Sequence, residues 1–313
     1  MGFLGYIYNC IRIHVSLAPI VEWRPAQAGR QYRRFPMKIK ALVVLFNGAL
    51  LLLCMGTGYV LFLTPVRGTG WQSVRAYGIF FLIFLLLFLL INTLYVKNRR
   101  LLRYLDAEDW SALAALLEEE VFTRNRVALR RVSLLSESLI LLSDFEALER
   151  LEHFVHAQRP RYIMKCALTF AVGKLLAGKY SELRTFMTRV AATQAPVQPW
   201  TRFYLAFACH LCGDFEQAHA HLLTLVHTKR QPLIRVLSAY LLSEVLPEKL
   251  RRAPAHDAQL IARGCAHAAQ VRADVHAHYT PRRWADYENR KKQNVDVLVF
   301  LKLMQDARAW LFP

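Results

Sequence analysis

Two apolar runs without a single charge, Ala41 to Leu63 and Ala76 to Val96, constrain this chain more than any other feature. A helix rises about 1.5 Å per residue, so each run reaches across a hydrocarbon core roughly 30 Å thick. In lipid a lone segment satisfies its backbone N–H and C=O groups only as a helix. The runs therefore predict a transmembrane helical hairpin that turns between Thr64 and Arg75. Asn47 and Asn92 are the only strongly polar side chains in them, and a hydrogen bond within the hairpin is their expected role. Two helices with no buried charge argue against a channel or transporter.

Charge orients the hairpin. Arg30, Arg33, Arg34, Lys38 and Lys40 precede it and Lys97, Arg99, Arg100 and Arg103 follow it, while the loop carries only Arg67 and Arg75. Positive flanks stay in the cytoplasm, so both ends are expected inside, in an inner (cytoplasmic) membrane. The net charge of +18 adds anionic lipid headgroups to the bilayer itself as expected partners, and nucleic acid is not expected. The 6 scattered cysteines suit a reducing compartment. Residues 1–37 are expected to be a tail, disordered or upstream of the start in use, because Met37-Lys38-Ile39-Lys40 reads as a fresh N-terminus. The hairpin then occupies 38–97.

Beyond it the chain repeats. Glu108-Asp109-Trp110, Ser143-Asp144-Phe145, Gly178-Lys179-Tyr180 and Gly213-Asp214-Phe215 follow one another at intervals of 35 residues. Each places an aromatic third and an apolar or small residue sixth, Ala218 in the last. Helical patterns flank every turn, and a period near this length built from helix, turn and helix resembles the tetratricopeptide repeat. The best match is Pro199 to Val226, and the resemblance covers Leu94 to about Val245. It implies an all-α fold: the hairpin, an α-solenoid of tetratricopeptide-like helix pairs over 98–246, and basic helices over 247–313 capping the stack. Trp110, Phe145, Tyr180 and Phe215 are then packing residues, and Gly178 and Gly213 supply left-handed turns. Counting back from Asp109 makes Leu94 to Leu105 the first helix of the first unit, continuous with the second apolar run. Leu233 to Leu246 is expected to end at Pro247, Ala258 to Val275 to pair with it, and one last helix to run from Arg282 to Phe312.

In the tetratricopeptide family the partner groove is lined by first-helix positions. The resemblance carries these onto Trp200, Phe203, Phe207 and His210 in the best unit, and onto Lys165, Leu168, Val172 and Leu175 in the preceding one. A protein or peptide partner is the implied ligand, and the alternative for each of these residues is packing against the neighbouring unit or the last helix. The two-helix anchor before such repeats is also similar in layout to a bacterial inner-membrane protein linked to haem biosynthesis, with Gly58-Tyr59-Val60-Leu61 as an echo; no haem-ligand motif accompanies it.

Chemistry is scarce. Cys209-His210-Leu211-Cys212 is the one motif with a metal or redox look, and it lies inside a repeat helix with no second pair at matching spacing. No P-loop, G-x-G-x-x-G, G-x-S-x-G or H-E-x-x-H occurs. No enzyme activity, metal or cofactor is expected. The expected function is a membrane-anchored scaffold on the cytoplasmic face. The alternatives are a metal- or redox-responsive domain built on Cys209 and Cys212, and a basic surface for nucleic acid or anionic lipid.

Overall fold

The computed structural model describes residues 47–53, 55–56, 58–59, 71–252, 258–292 and 294–313, and every regular element among them is helical. The expected tail 1–37, both margins of the first apolar run and most of the expected hairpin loop lie outside the described residues. The chain divides into two compact units, with the boundary between Leu116 and Leu117.

In the first unit, residues 47–53 are helical and helix α1 runs unbroken over Trp71–Asp106, 36 residues. The second apolar run and the expected first repeat helix are thus one helix. Asn47 Nδ2 donates to Asn92 Oδ1 at 3.0 Å, and Asn92 Nδ2 donates back to Asn47 Oδ1 at 3.2 Å. The two apolar runs therefore meet at Asn47 and Asn92 through a reciprocal amide pair, as their lone polar residues suggested. Among the described residues no helix is long and apolar enough to cross a membrane; the charge-free run from Ala76 to Val96 is a property of the sequence of α1. Helix α2, Trp110–Glu118, follows and widens into a π turn over Glu119–Thr123.

The second unit continues through α3 (Leu129–Leu142), α4 (Phe145–Gln158), α5 (Pro160–Lys165), α6 (Ala167–Leu176) and α7 (Tyr180–Thr193). Next come α8 (Pro199–Leu211), α9 (Phe215–Leu225), α10 (Pro232–Tyr240), α11 (Leu246–Arg252) and α12 (Ala258–His278). The last three are α13 (Pro281–Lys291), α14 (Val295–Leu298) and α15 (Leu301–Leu311). Helices α3, α6, α8 and α10 each touch the next in that series, and each packs on its own partner, α4, α7, α9 or α12. Each of α4, α7 and α9 also touches the first helix of the following pair. Neighbour-to-neighbour contacts of this kind are those of stacked helix pairs.

The turns show why the chain repeats. Glu108, Ser143, Gly178 and Gly213 all have positive φ (53°, 57°, 73° and 82°), at intervals of 35 residues. At each one the following residue's N–H returns to a carbonyl five positions back: Asp109 to Tyr104, Asp144 to Leu139, Lys179 to Lys174 and Asp214 to Cys209, at 2.9–3.0 Å. This Schellman closure ends one helix, and an aspartate then starts the next. Asp109, Asp144 and Asp214 accept from the backbone N–H three residues on, at 3.0, 2.9 and 3.3 Å. Lys179 cannot cap. It reaches back to the preceding pair and meets Glu149 at 2.7 Å. The residues sixth in each motif, Leu113, Leu148, Leu183 and Ala218, are all buried.

Left-handed backbone strains any residue with a Cβ by roughly 1–2 kcal/mol. Glu108 is exposed and carries that strain without glycine. Glu108→Gly is expected to stabilise the first unit by about 1 kcal/mol, read as a higher thermal midpoint.

Two expected helices are redrawn. Pro247 does not stop the helix after Leu233: α10 passes through a π turn over Leu241–Val245 and emerges as α11 with Pro247 buried in its first turn. The wider turn makes room for the ring and needs no N–H from it. The predicted single helix from Arg282 to Phe312 is instead α13, α14 and α15. The β-branched residues Val295, Val297 and Val299 weaken helix propensity between the breaks, and Phe300 leaves the helical region at φ −96°, ψ 17°.

Candidate partner-binding face

Four aromatic residues line one face of α8 at helical spacing: Trp200, Phe203, Tyr204 and Phe207. The ring of Phe300 fills the space over them. Its centroid lies 5.1 Å from Phe203, 5.0 Å from Tyr204 and 5.1 Å from Phe207, all edge-on, and 6.3 Å from Trp200, nearly parallel. The Tyr204 hydroxyl donates to the Asp296 carbonyl at 2.6 Å. Short helix α14 also rests on α6, and α15 on α10. The C-terminal segment thus lies along the first helices of the pairs, the face that the repeat resemblance reserves for a partner.

This occupancy sorts the groove residues read from the sequence. Phe203 (0% exposed) and Val172 (1% exposed) are interior, so neither faces open solvent. Trp200, Phe207, His210, Leu168 and Leu175 are half-buried, and Lys165 is exposed. Phe207 and His210 lie 6.1 Å apart, and His210 continues to Phe215 at 5.7 Å, so aromatic contact runs from the groove to the turn. Burial holds the His210 imidazole below its ordinary range, with Lys249 adding to the effect, and so favours the neutral ring. Trp110, Phe145, Tyr180 and Phe215 are half-buried on the turns rather than enclosed between helices. Sequence reasoning missed Phe300 and Tyr204. The available signal was four aromatics on one face of α8, too much apolar surface to leave uncovered.

Beside the aromatic cluster lie two carboxylates, Glu137 and Asp296, that form no salt bridge among the described residues. Burial raises the Asp296 carboxyl, and burial together with the nearby Asp296 charge raises Glu137 of α3, whose Oε1 accepts from Ser133 at 3.1 Å. The Cys166 thiol, at the junction of α5 and α6, is pushed up to about 11 by burial and then by both carboxylates. A thiol so shifted is not a nucleophile near neutral pH. The folded state holds protons on Glu137 and Asp296 at pH values where the unfolded chain has released them. Stability therefore falls as pH rises through the window above the ordinary carboxylate range. Asp296→Asn is expected to flatten that fall, measured as urea midpoints from about pH 4 to pH 8.

The C-x-x-C motif divides between two environments. Cys209 is buried, and burial pushes its thiol up to about 11, whereas Cys212 is exposed at the end of α8. Of the histidines that follow, His219 is buried and His221 half-buried. Among the described residues no group of three or more His, Cys, Asp or Glu side chains is placed to hold a metal ion.

Stacked helix pairs, recurring left-handed turns and a C-terminal segment laid along the first helices define an all-helical repeat architecture. The chain belongs to the family described as "Uncharacterised Treponema protein", whose model matches residues 147–313, more than half of the sequence. No tetratricopeptide family model matches. The family match begins within α4 and runs to the last residue, so it takes in the aromatic face and the segment that covers it.

Proposed function

We propose that this protein is a scaffold anchored in the cytoplasmic membrane, with tetratricopeptide-like helix pairs in the cytoplasm that hold a protein or peptide partner. The observation that carries the reading is the continuity of α1. One helix contains the charge-free run Ala76 to Val96, then the exposed cations Lys97, Arg99, Arg100 and Arg103, and ends at the first of the recurring turns. Within this one helix the apolar run passes into the basic collar without a break. The reciprocal Asn47–Asn92 pair supports a hairpin, since such amides act as glue between helices in lipid, where water does not compete. The collar favours anionic headgroups on the cytoplasmic side.

The partner face in this reading is the margin of the groove and not its centre. Lys165, Leu168, Leu175 and the outer edges of Trp200, Phe207 and His210 are reachable, while the centre belongs to Phe300. Protease accessibility tests the placement. Residues beyond 98 are expected to be cleaved in inverted membrane vesicles and protected in right-side-out spheroplasts, with the chain retained after carbonate washing. Cleavage from outside, or release by carbonate, removes the anchor reading. A photocrosslinker at Lys165 is expected to trap a partner that one at buried Val172 does not; equal trapping removes the groove assignment.

A further inference from the structure

A cleft of about 380 Å3 opens between α12 and α15, away from the aromatic face on α8. We propose that it binds a small carboxylate carrying a flat apolar body. Cys265, Ala269, Arg272 and His276 follow one face of α12 at intervals of four, three and four residues, and Trp310 of α15 forms the opposite wall. The volume lies within the roughly 300–1,000 Å3 usual for small-ligand sites.

Arg272 makes the cleft selective. Its guanidinium carbon sits 5.5 Å from the centroid of the Trp310 ring, and the side chain makes no ion pair among the described residues. Asp306, one turn before Trp310, is taken by Lys302 at 2.7 Å. A guanidinium held against an indole is a fixed planar fork, and a carboxylate is the anion that matches it bidentately. The Ala269 methyl leaves a floor without bulk, against which a flat body packs beside the indole. His276 is pinned at the rim by its Nε2 contact with the Leu311 carbonyl at 2.5 Å and by the Phe312 ring at 4.9 Å. The rim is therefore formed before any ligand arrives.

Cys265 reports occupancy directly, because it is a free thiol in the wall of the cleft. The full-length protein is alkylated with neutral iodoacetamide, and modification of each cysteine is followed by peptide mass spectrometry, with exposed Cys212 as the internal reference. Sodium benzoate is expected to slow alkylation of Cys265 and leave Cys212 unchanged. Benzamide, which has the same shape without the charge, and sodium phosphate, which has the charge without the ring, are expected to protect little. Arg272→Gln is expected to raise the benzoate concentration needed by about tenfold or more, the loss of a charge-assisted pair. No protection by benzoate, or equal protection by benzamide, overturns the proposal in the unaltered protein, whatever the variant does to folding. Equal protection by phosphate identifies a simple anion site and overturns the apolar half. Undiminished protection in Arg272→Gln removes the guanidinium from the site.

Discussion

Phe300→Ala is expected to cost about 3–5 kcal/mol of unfolding free energy, a loss at the upper end for one substitution. The residue is 2% exposed and meets four aromatic rings with centroids between 5.0 and 6.3 Å away. Truncation leaves a cavity whose walls are themselves fixed: Phe203 and Tyr204 are fully buried on α8, and the Tyr204 hydroxyl is tied to the Asp296 carbonyl. A site that cannot collapse pays for both the lost transfer and the void. Phe300→Leu keeps most of the volume but loses the edge-to-face geometry, so a smaller loss of about 1–2 kcal/mol is expected. Urea unfolding followed by tryptophan fluorescence measures both, and Trp200 stacked on Phe300 serves as a local probe. A loss below about 1 kcal/mol for Phe300→Ala means that the segment does not close the aromatic face in solution.

The outcome also bears on partner binding. If α14 and Phe300 fill the groove permanently, partners reach only its margin, and a variant at exposed Lys165 affects binding without affecting stability. The protein is then read from two independent measurements, one of folding and one of recognition.

Much of the repeat was legible because its signals are local. A left-handed residue, then a polar one, then an aromatic closes the helix through its own backbone hydrogen bonds, and the pattern recurs at Glu108, Ser143, Gly178 and Gly213 whether or not glycine is present, with Asp as the following cap in all but the third. The continuity of α1 was legible for the same reason, since nothing between Val96 and Leu105 breaks a helix. Packing of the α8 face against the last helix was an open alternative, but the residues that make the cover were not legible. Tyr204 and the Asp296 carbonyl are 92 residues apart, and no pattern within either segment announces the contact. The π turn over Leu241–Val245 escaped because proline reads as a stop unless the preceding backbone widens to admit it. One local signal reads as inconsistent in the sequence because its residue type varies: the small residue of the first helix recurs as Ser138, Gly173 and Ala208, all buried, at the repeat interval.

Gly173 is where that small residue matters most. A Cβ built there would lie 2.1 Å from Leu148 Cδ2, closer than real side chains approach. Helix α6 therefore packs against α4, the second helix of the preceding pair, at a distance only glycine permits while Leu148 keeps its place. Leu148 is 4% exposed, and the small cavity of about 60 Å3 that it lines together with Gly173 is the space its methyl can turn toward, at the cost of its present packing. Gly173→Ala is expected to destabilise by about 1–3 kcal/mol through overpacking, despite alanine's better helix propensity. Leu148→Ala alone is expected to cost about 2–5 kcal/mol by leaving a cavity. In the double variant the new methyl partly fills that cavity, so the combined loss should fall short of the sum by about 1 kcal/mol or more. Additive losses mean that the two helices do not meet through this pair. A stabilising Gly173→Ala means that propensity outweighs contact, and the close approach of α4 and α6 is then not what sets the spacing of the stack.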